Sequence, residues 1–289
     1  MGIDIGGSHI SVALVDPADR KVLYDSYCKR AIDSQKTADH IITDWVDTIH
    51  ASLSGREDVV LEGIGIAMPG PFDYEKGISV IRGVNKYENL YGLDIRASLQ
   101  SRLKQKGIPI RFENDAACFG LGECLTGNAA GYERVIAVTL GTGLGSAFIM
   151  HNQLLKGGVN VPPDGYLYNI PYKDGVAEDY ISGKWLLQTY NAKSKKKATD
   201  TKEVALFQDD ECAKEVFADF GRNISSFLSD WIKDYRADCL VIGGSIAKSD
   251  ALFLPAMKAV FASCQINIPI TFSRQSEISA ITGAASMVI

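Results

Sequence analysis

Gly2-Ile3-Asp4-Ile5-Gly6-Gly7-Ser8 and Val138-Thr139-Leu140-Gly141-Thr142-Gly143 each end an apolar run in a glycine turn, and they stand half a chain apart. Glycine lets the backbone turn sharply and approach a ligand closely, so successive N–H groups can converge on phosphate oxygens. A single turn of this kind marks an ordinary hairpin just as readily. Two at this spacing, each with a small hydroxyl residue, predict a duplicated fold that grips one polyphosphate from both sides. That makes the chain a candidate phosphotransferase.

The flanking sequence fits this reading. Residues 1–16 read as a strand, a tight turn and a returning strand, with 21–30 as the third strand of a meander. Residues 134–140 and 145–150 repeat the pattern. Residues 36–53 form one amphipathic helix, since Ile41, Trp45, Val46, Ile49 and Leu53 recur at helical spacing. Further helices are expected over 94–106, 116–125, 178–190, 212–236, 249–261 and 278–288, and strands over 61–67, 108–112, 239–242 and 268–272. Residues 154–175, rich in glycine and proline, read as a long irregular loop. Meanders followed by alternating helices and strands, twice over, imply an α/β protein of two similar halves with a cleft between them. The first strand holds only about five residues before its turn, short for a strand, and is expected to extend upstream of Met1.

Composition narrows the function classes. The 289 residues are 46% hydrophobic and 22% charged, an ordinary globular balance that allows two domains. A net charge of −5 disfavours a nucleic-acid surface. The densest basic run, 193–197, lies among polar residues and reads as a solvated loop. No apolar run approaches the roughly 18 residues of a membrane span, and no signal-type stretch opens the chain. The six cysteines are scattered, with no CxxC, and read as buried residues in a reducing cytoplasm. His9, His40, His50 and His151 are isolated from each other, so a histidine metal site is not expected.

Phosphoryl transfer asks a protein chiefly for positioning and charge stabilisation. Asp4, at a strand end beside the first glycine turn, can hold Mg²⁺ directly or through its water shell. It can equally cap the turn, and the second turn favours the metal-side role. Glu113-Asn114-Asp115 lies between a strand and a helix, where Asp115 can accept a hydroxyl proton as the alcohol attacks phosphorus. A plain helix cap is the competing reading of Asp115 or Asn114. Asn114 could also hydrogen-bond a polyol such as a sugar. Gly243-Gly244-Ser245 follows an apolar run and precedes a helix. A base or ribose could lie against that backbone, or the turn is merely a tight connection. Glu178 heads a helix, where the dipole favours an acid whatever the function.

The order of these pieces resembles the ROK family of bacterial sugar kinases and repressors, within the sugar kinase/hsp70/actin superfamily. Residues 4–8 are similar to the first phosphate motif, with Ser8 where threonine is usual, and residues 140–145 to the second. Ala67-Met68-Pro69-Gly70-Pro71 resembles the sugar-side Pro-Gly loop, and Asn89-Leu90 the element after it. Glu113-Asn114-Asp115-Ala116-Ala117 resembles the family core whose Asp is the catalytic base. Ile242-Gly243-Gly244-Ser245 falls at the adenosine motif, and 178–183 resembles the segment whose Glu binds the sugar. The resemblance spans essentially the whole chain.

It implies two actin-like (ribonuclease H-like) domains, over 1–113 with 277–289 and over 114–276. It further implies ATP-dependent phosphorylation of a hexose hydroxyl, at C6, with Mg²⁺ and with Asp115 as base. Asn114, Glu178, Gly70, Asn89 and Tyr166 would line the sugar. Asp4, Gly6, Gly7, Ser8, Gly141, Thr142, Gly143, Gly243 and Gly244 would hold ATP and its phosphates. A cytoplasmic homodimer is implied, with sugar and ATP as small-molecule partners and neither nucleic acid nor membrane. The sequence departs from the family at the Glu-x-Gly-His sugar segment, which here reads Pro163-Asp164-Gly165-Tyr166. The cysteine-rich zinc loop after it is missing too, since 168–176 contains no cysteine. No zinc is therefore expected, and the pocket is expected to be altered where Tyr166 replaces the imidazole with a hydroxyl and a ring. The other readings are a sugar-responsive regulator, or a sugar-binding protein that has lost turnover.

Overall fold

Apolar residues on either side of the first glycine turn pair as antiparallel strands, β1 (Gly2–Ile5) and β2 (His9–Val15), in register from Gly2 opposite Ala13 to Ile5 opposite Ile10. This computed structural model describes every residue of the chain except Glu57 and Gln208. The first half continues with β3 (Val22–Ala31), α1 (Ala38–Leu53) and β4 (Ile64–Met68). A small hairpin of β5 (Phe72–Asp73) and β6 (Ile78–Ser79) then precedes α2 (Ile95–Arg102), β7 (Ile110–Asn114) and α3 (Asp115–Thr126). The second half opens with β8 (Arg134–Leu140), β9 (Leu144–Met150) and β10 (Gln153–Leu155), then a hairpin of β11 (Pro171–Tyr172) and β12 (Gly175–Val176). Helices α4 (Gly183–Lys193), α5 (Thr201–Leu206) and α6 (Glu211–Tyr235) lead to β13 (Cys239–Gly243), α7 (Asp250–Ser263), β14 (Ile270–Phe272) and α8 (Ser276–Ser286).

The duplication is explicit in the two five-stranded sheets, ordered β3-β2-β1-β4-β7 and β10-β9-β8-β13-β14. From the meander edge, each has two antiparallel pairings followed by two parallel ones. Parallel neighbours need a crossover, and the intervening helices supply it. In the first half, α1 buries Ile41, Ile42, Trp45, Val46 and Ile49, sharing a core with Ile3, Ile5, Val12 and Ile66 of the sheet. In the second, α6 buries Val216, Phe220, Ile224 and Leu228 against Ile136, Val138 and Leu240.

The chain forms two compact units, Met1–Gly127 with Glu277–Ile289, and Asn128–Ser276. The division expected after residue 113 falls instead after Gly127, because α3 packs on α8 within the first unit. A side chain on Gly283 would lie 1.9 Å from the Cys118 carbonyl oxygen, so glycine is needed for that approach. The Ser279 hydroxyl donates to Glu123 at 2.5 Å across the same contact.

Other differences have local causes. The helix expected over 178–190 starts at Gly183, where the Ser182 hydroxyl caps it by accepting from the Trp185 N–H. Residues 177–179 form a short 3-10 turn instead. The loop expected over 154–175 contains the β11 strand and the end of β10. Helix α5 had no counterpart in the sequence reading, since of its residues only Val204 is buried. All six cysteines are free, but only Cys118, Cys124 and Cys239 are buried, so Cys28, Cys212 and Cys264 correct that expectation. No described helix is long and apolar enough to cross a membrane.

Candidate active site

In the first unit, the Gly6 N–H donates to the His9 carbonyl at 2.9 Å and closes the turn, leaving Gly7 and Ser8 exposed at its tip. Asp4 stands just before it, opposite Ser11 of β2 and Ala67 of β4. Next along the sheet, β7 ends at Asn114 and α3 begins at Asp115. The ends of β1, β4 and β7 thus gather Asp4, the Pro-Gly loop and Asp115 at one edge.

The cap of α3 separates two neighbours that the sequence left ambiguous. Asn114 Oδ1 accepts from the Ala116 and Ala117 N–H groups at 3.0 and 3.2 Å. Asp115 Oδ1 accepts from the Ala116 N–H at 2.9 Å, and its carboxylate is also held by its own backbone N–H and by the Asn114 side chain. Asn114 therefore supplies the cap. Its Nδ2 also lies 3.4 Å from the Tyr74 hydroxyl, which donates to the Met68 carbonyl at 3.0 Å. The same hydroxyl would lie 3.3 Å from a side chain on Gly70, so Gly70, Tyr74 and Asn114 adjoin.

Asp115 keeps solvent-accessible surface, yet enough protein surrounds its carboxylate that burial is the largest influence on it. Burial leaves its pKa above the ordinary carboxylate range, against the pull of the Ala116 N–H and the Lys86 ammonium. Asp4 is pushed up to about 7, first by burial and then by the negative charges of Asp115 and Glu277. Asp4, His9 and Glu277 each offer a ligand atom within 4.8 Å of the others. His9, read from sequence as isolated, thus joins two carboxylates. Glu277 is already engaged by Lys29 and by the Tyr27 hydroxyl, and lies 3.6 Å from His9 Nε2. Burial would raise Glu277, but hydrogen bonds led by those from His9 and Lys29 hold it well below the usual range. At Asp4 burial and the neighbouring carboxylates are only partly offset by the positive charges of His9 and Lys29, an environment that suits a hard divalent cation.

Asn89 Nδ2 donates to the carbonyls of Gln35 and Lys36 at 3.0 and 2.9 Å.

In the second unit, the Gly141 N–H donates to the Gly143 carbonyl at 3.1 Å, and Thr142 is exposed between them. Glu178 Oε2 accepts from the Leu144 N–H at 2.8 Å and would lie 2.3 Å from any side chain on Gly143. One carboxylate oxygen is thus tied to the glycine turn, and the other has no hydrogen-bond partner among the described residues. Gly243 ends β13 opposite Thr139. Gly244 has φ +89°, its side-chain position would meet the Leu140 carbonyl at 2.3 Å, and its N–H donates to Ser276 Oγ at 3.1 Å. That close approach is to the protein's own backbone, which fits the tight-connection reading of this glycine. Tyr166 is half-buried, between a Gly165 carbonyl that accepts from the Ser146 hydroxyl and a Leu167 N–H that donates to it.

The β11–β12 hairpin stands where the resemblance would place a zinc loop, and its residues do not fit that metal. No cysteine or histidine occurs in 168–176, and Asp174 accepts from the Tyr180 hydroxyl. Lys173 instead reaches Asn223 Oδ1 at 2.7 Å and lies over the Tyr180 ring at 4.7 Å.

Sequence reasoning passed over Tyr74, Lys86, Tyr87 and Glu277. Only position could have flagged them, since none belongs to a glycine turn or an acid–amide motif. His9 was the findable one, directly after Ser8.

The sequence profile of the ROK family matches residues 1–289. A glucokinase of Thermotoga maritima is 27% identical over all of this chain and 96% of its own length. A xylose repressor of Bacillus subtilis is 24% identical over 91% of this chain and 68% of its own. The crystal structure of a ROK family glucokinase from Streptomyces griseus, in complex with glucose and AMPPNP, superposes with a TM-score of 0.75 at 22% identity, over 99% of this chain and 97% of that one.

Proposed function

The chain belongs to the ROK family, and from that premise we propose that it is an ATP-dependent sugar kinase with Asp115 as general base. The observation that carries this is the division of labour at the start of α3. Asn114 caps the helix, so the Asp115 carboxylate is not needed for structure. Its raised pKa makes it a stronger proton acceptor than an ordinary carboxylate.

Asp115 removes the proton of the sugar hydroxyl as that oxygen attacks the terminal phosphorus of ATP. The likeness to the Thermotoga glucokinase favours a hexose as acceptor, and C6 is the hydroxyl that the family resemblance implies. The Glu178 oxygen that has no partner among the described residues, with the Asn114 amide and the Tyr166 hydroxyl, would face sugar hydroxyls. With the Gly6 and Gly141 N–H groups closing their own turns, the remaining N–H groups of 6–8 and 141–143 offer donors to phosphates. Asp4 holds the magnesium side of the nucleotide. When bound, that ion neutralises phosphate charge and polarises the phosphoryl oxygens.

A coupled ADP-release assay with MgATP over a panel of hexoses and N-acetylhexosamines tests the proposal. Turnover with at least one sugar is expected. Measurable sugar binding without turnover on any of them would overturn it and indicate a regulatory or purely sugar-binding member.

A further inference from the structure

Lys86 is a cation unpaired among the described residues, carried by a segment that the site residues do not include. The residues on either side, Asn85 and Tyr87, both adopt left-handed backbone conformations, with φ +57° and +55°. Such conformations are costly outside glycine and persist where the surroundings fix them. Here they are fixed on both sides. Tyr87 is fully buried, packs edge-on against Trp45 at 5.7 Å and donates its hydroxyl to the Gly6 carbonyl at 2.5 Å. The Asn85 N–H donates to Glu88 Oε1 at 2.9 Å, and the Asn85 carbonyl accepts from Gln35 Nε2 at 2.6 Å.

Anchoring Tyr87 to Gly6 brings Lys86 over the glycine turn. Its Cδ lies 3.6 Å from the point a Gly7 side chain would occupy. Lys86 is also the positive charge that works against the upward shift of the Asp115 carboxyl. Among the described residues it has no hydrogen-bond or ion-pair partner. The surrounding charge balance makes this informative. Asp4, Asp115 and Glu277 are three neighbouring carboxylates, and Lys29 is already committed to Glu277. Besides the magnesium that Asp4 would hold, Lys86 is the cation at this edge that is not committed to a carboxylate among the described residues.

We infer that Lys86 is a catalytic residue whose ammonium holds the phosphoryl group in transit between the Gly6–Gly7 turn and Asp115. The inference rests on the kinase reading above. In the step, the acceptor oxygen forms a bond to the terminal phosphorus and the bond from that phosphorus to the bridging oxygen breaks. The leaving nucleoside diphosphate takes the electron pair, and the hydroxyl proton passes to Asp115. Lys86 keeps its own proton throughout and donates hydrogen bonds to the equatorial oxygens, where charge is spread in the transition state.

The test compares Lys86→Met and Lys86→Arg with the unaltered protein. Turnover at saturating MgATP and sugar should fall about 100-fold or more in Lys86→Met and about tenfold or less in Lys86→Arg, with sugar affinity by calorimetry unchanged within about threefold. Turnover in Lys86→Met equal to that of the unaltered protein overturns the catalytic role. A second readout needs no substrate: carbon-13 NMR titration of labelled aspartates, with Asp115→Asn assigning the resonance. Losing the cation should raise the Asp115 midpoint in Lys86→Met and leave it in place in Lys86→Arg. Equal midpoints in all three overturn the placement of Lys86 beside the base. Absence of turnover in the unaltered protein overturns the kinase reading and the phosphoryl role with it, while the titration still decides whether the ammonium faces Asp115.

Discussion

Glu178 Oε2 lies 2.8 Å from the Leu144 amide nitrogen and fills the space that a side chain on Gly143 would need. One carboxylate oxygen thereby shapes a glycine turn, and the second has no hydrogen-bond partner among the described residues. Glu178→Gln retains an acceptor for the Leu144 N–H but loses the charge. It should raise the KM for the sugar roughly tenfold with a smaller change in kcat, as steady-state kinetics would show. Gly143→Ala forces that carboxylate away and should lower kcat/KM further than Glu178→Gln does. Equal kinetics for Gly143→Ala and the unaltered protein would separate the turn from the chemistry.

Asp4 carries a linked prediction about metal and pH. Its pKa in the folded state, about 7, lies above the value of an unfolded aspartate. The resulting contribution to stability is complete below the unfolded pKa, near 3.8, and is lost as pH rises through about 7. At pH 8 the metal-free protein therefore holds an unfavourable charge there, and Asp4→Asn should raise Tm by roughly 2–4 °C for each kcal/mol recovered. At pH 4 the gain should vanish. Magnesium competes with that proton, so its affinity should weaken as pH falls below about 7. Calorimetry in two buffers of different ionisation enthalpy would reveal the proton release.

Raised basicity at Asp115 sets the acidic limb of activity. The base must be deprotonated to act, so kcat/KM should fall on acidification at a pH above the ordinary aspartate range. A limb at or below pH 4 would contradict the environment described for this carboxylate.

Close packing of α3 on α8 predicts a purely structural effect. Gly283→Ala would place a methyl group 1.9 Å from the Cys118 carbonyl oxygen and should cost about 1–3 kcal/mol through overpacking. Thermal unfolding followed by circular dichroism would register it.

Much of this architecture was legible in the chain. The apolar run, glycine turn and second apolar run occur twice, and each became the antiparallel start of a sheet with the same strand order. Sequence placed Asp115 correctly between a strand and a helix, but only side-chain geometry shows that Asn114 does the capping. Glu277 was invisible because it lies at the far end of the chain from Lys29 and Tyr27, and only tertiary folding brings them together. Lys86 and Tyr87 were missed because backbone strain and a buried hydroxyl leave no periodic signal. At Gly244 the backbone itself sets the residue. Its freedom from a side chain is explained by the Leu140 carbonyl beside it.

Asp115→Asn is the most direct probe of proton removal by this carboxylate. Asparagine preserves shape and the hydrogen bond from Ala116 while abolishing the basic oxygen. With the sugar that gives best turnover, kcat should fall by about 10²–10⁴, while the sugar dissociation constant from calorimetry stays within about threefold. Turnover close to that of the unaltered protein would contradict the account.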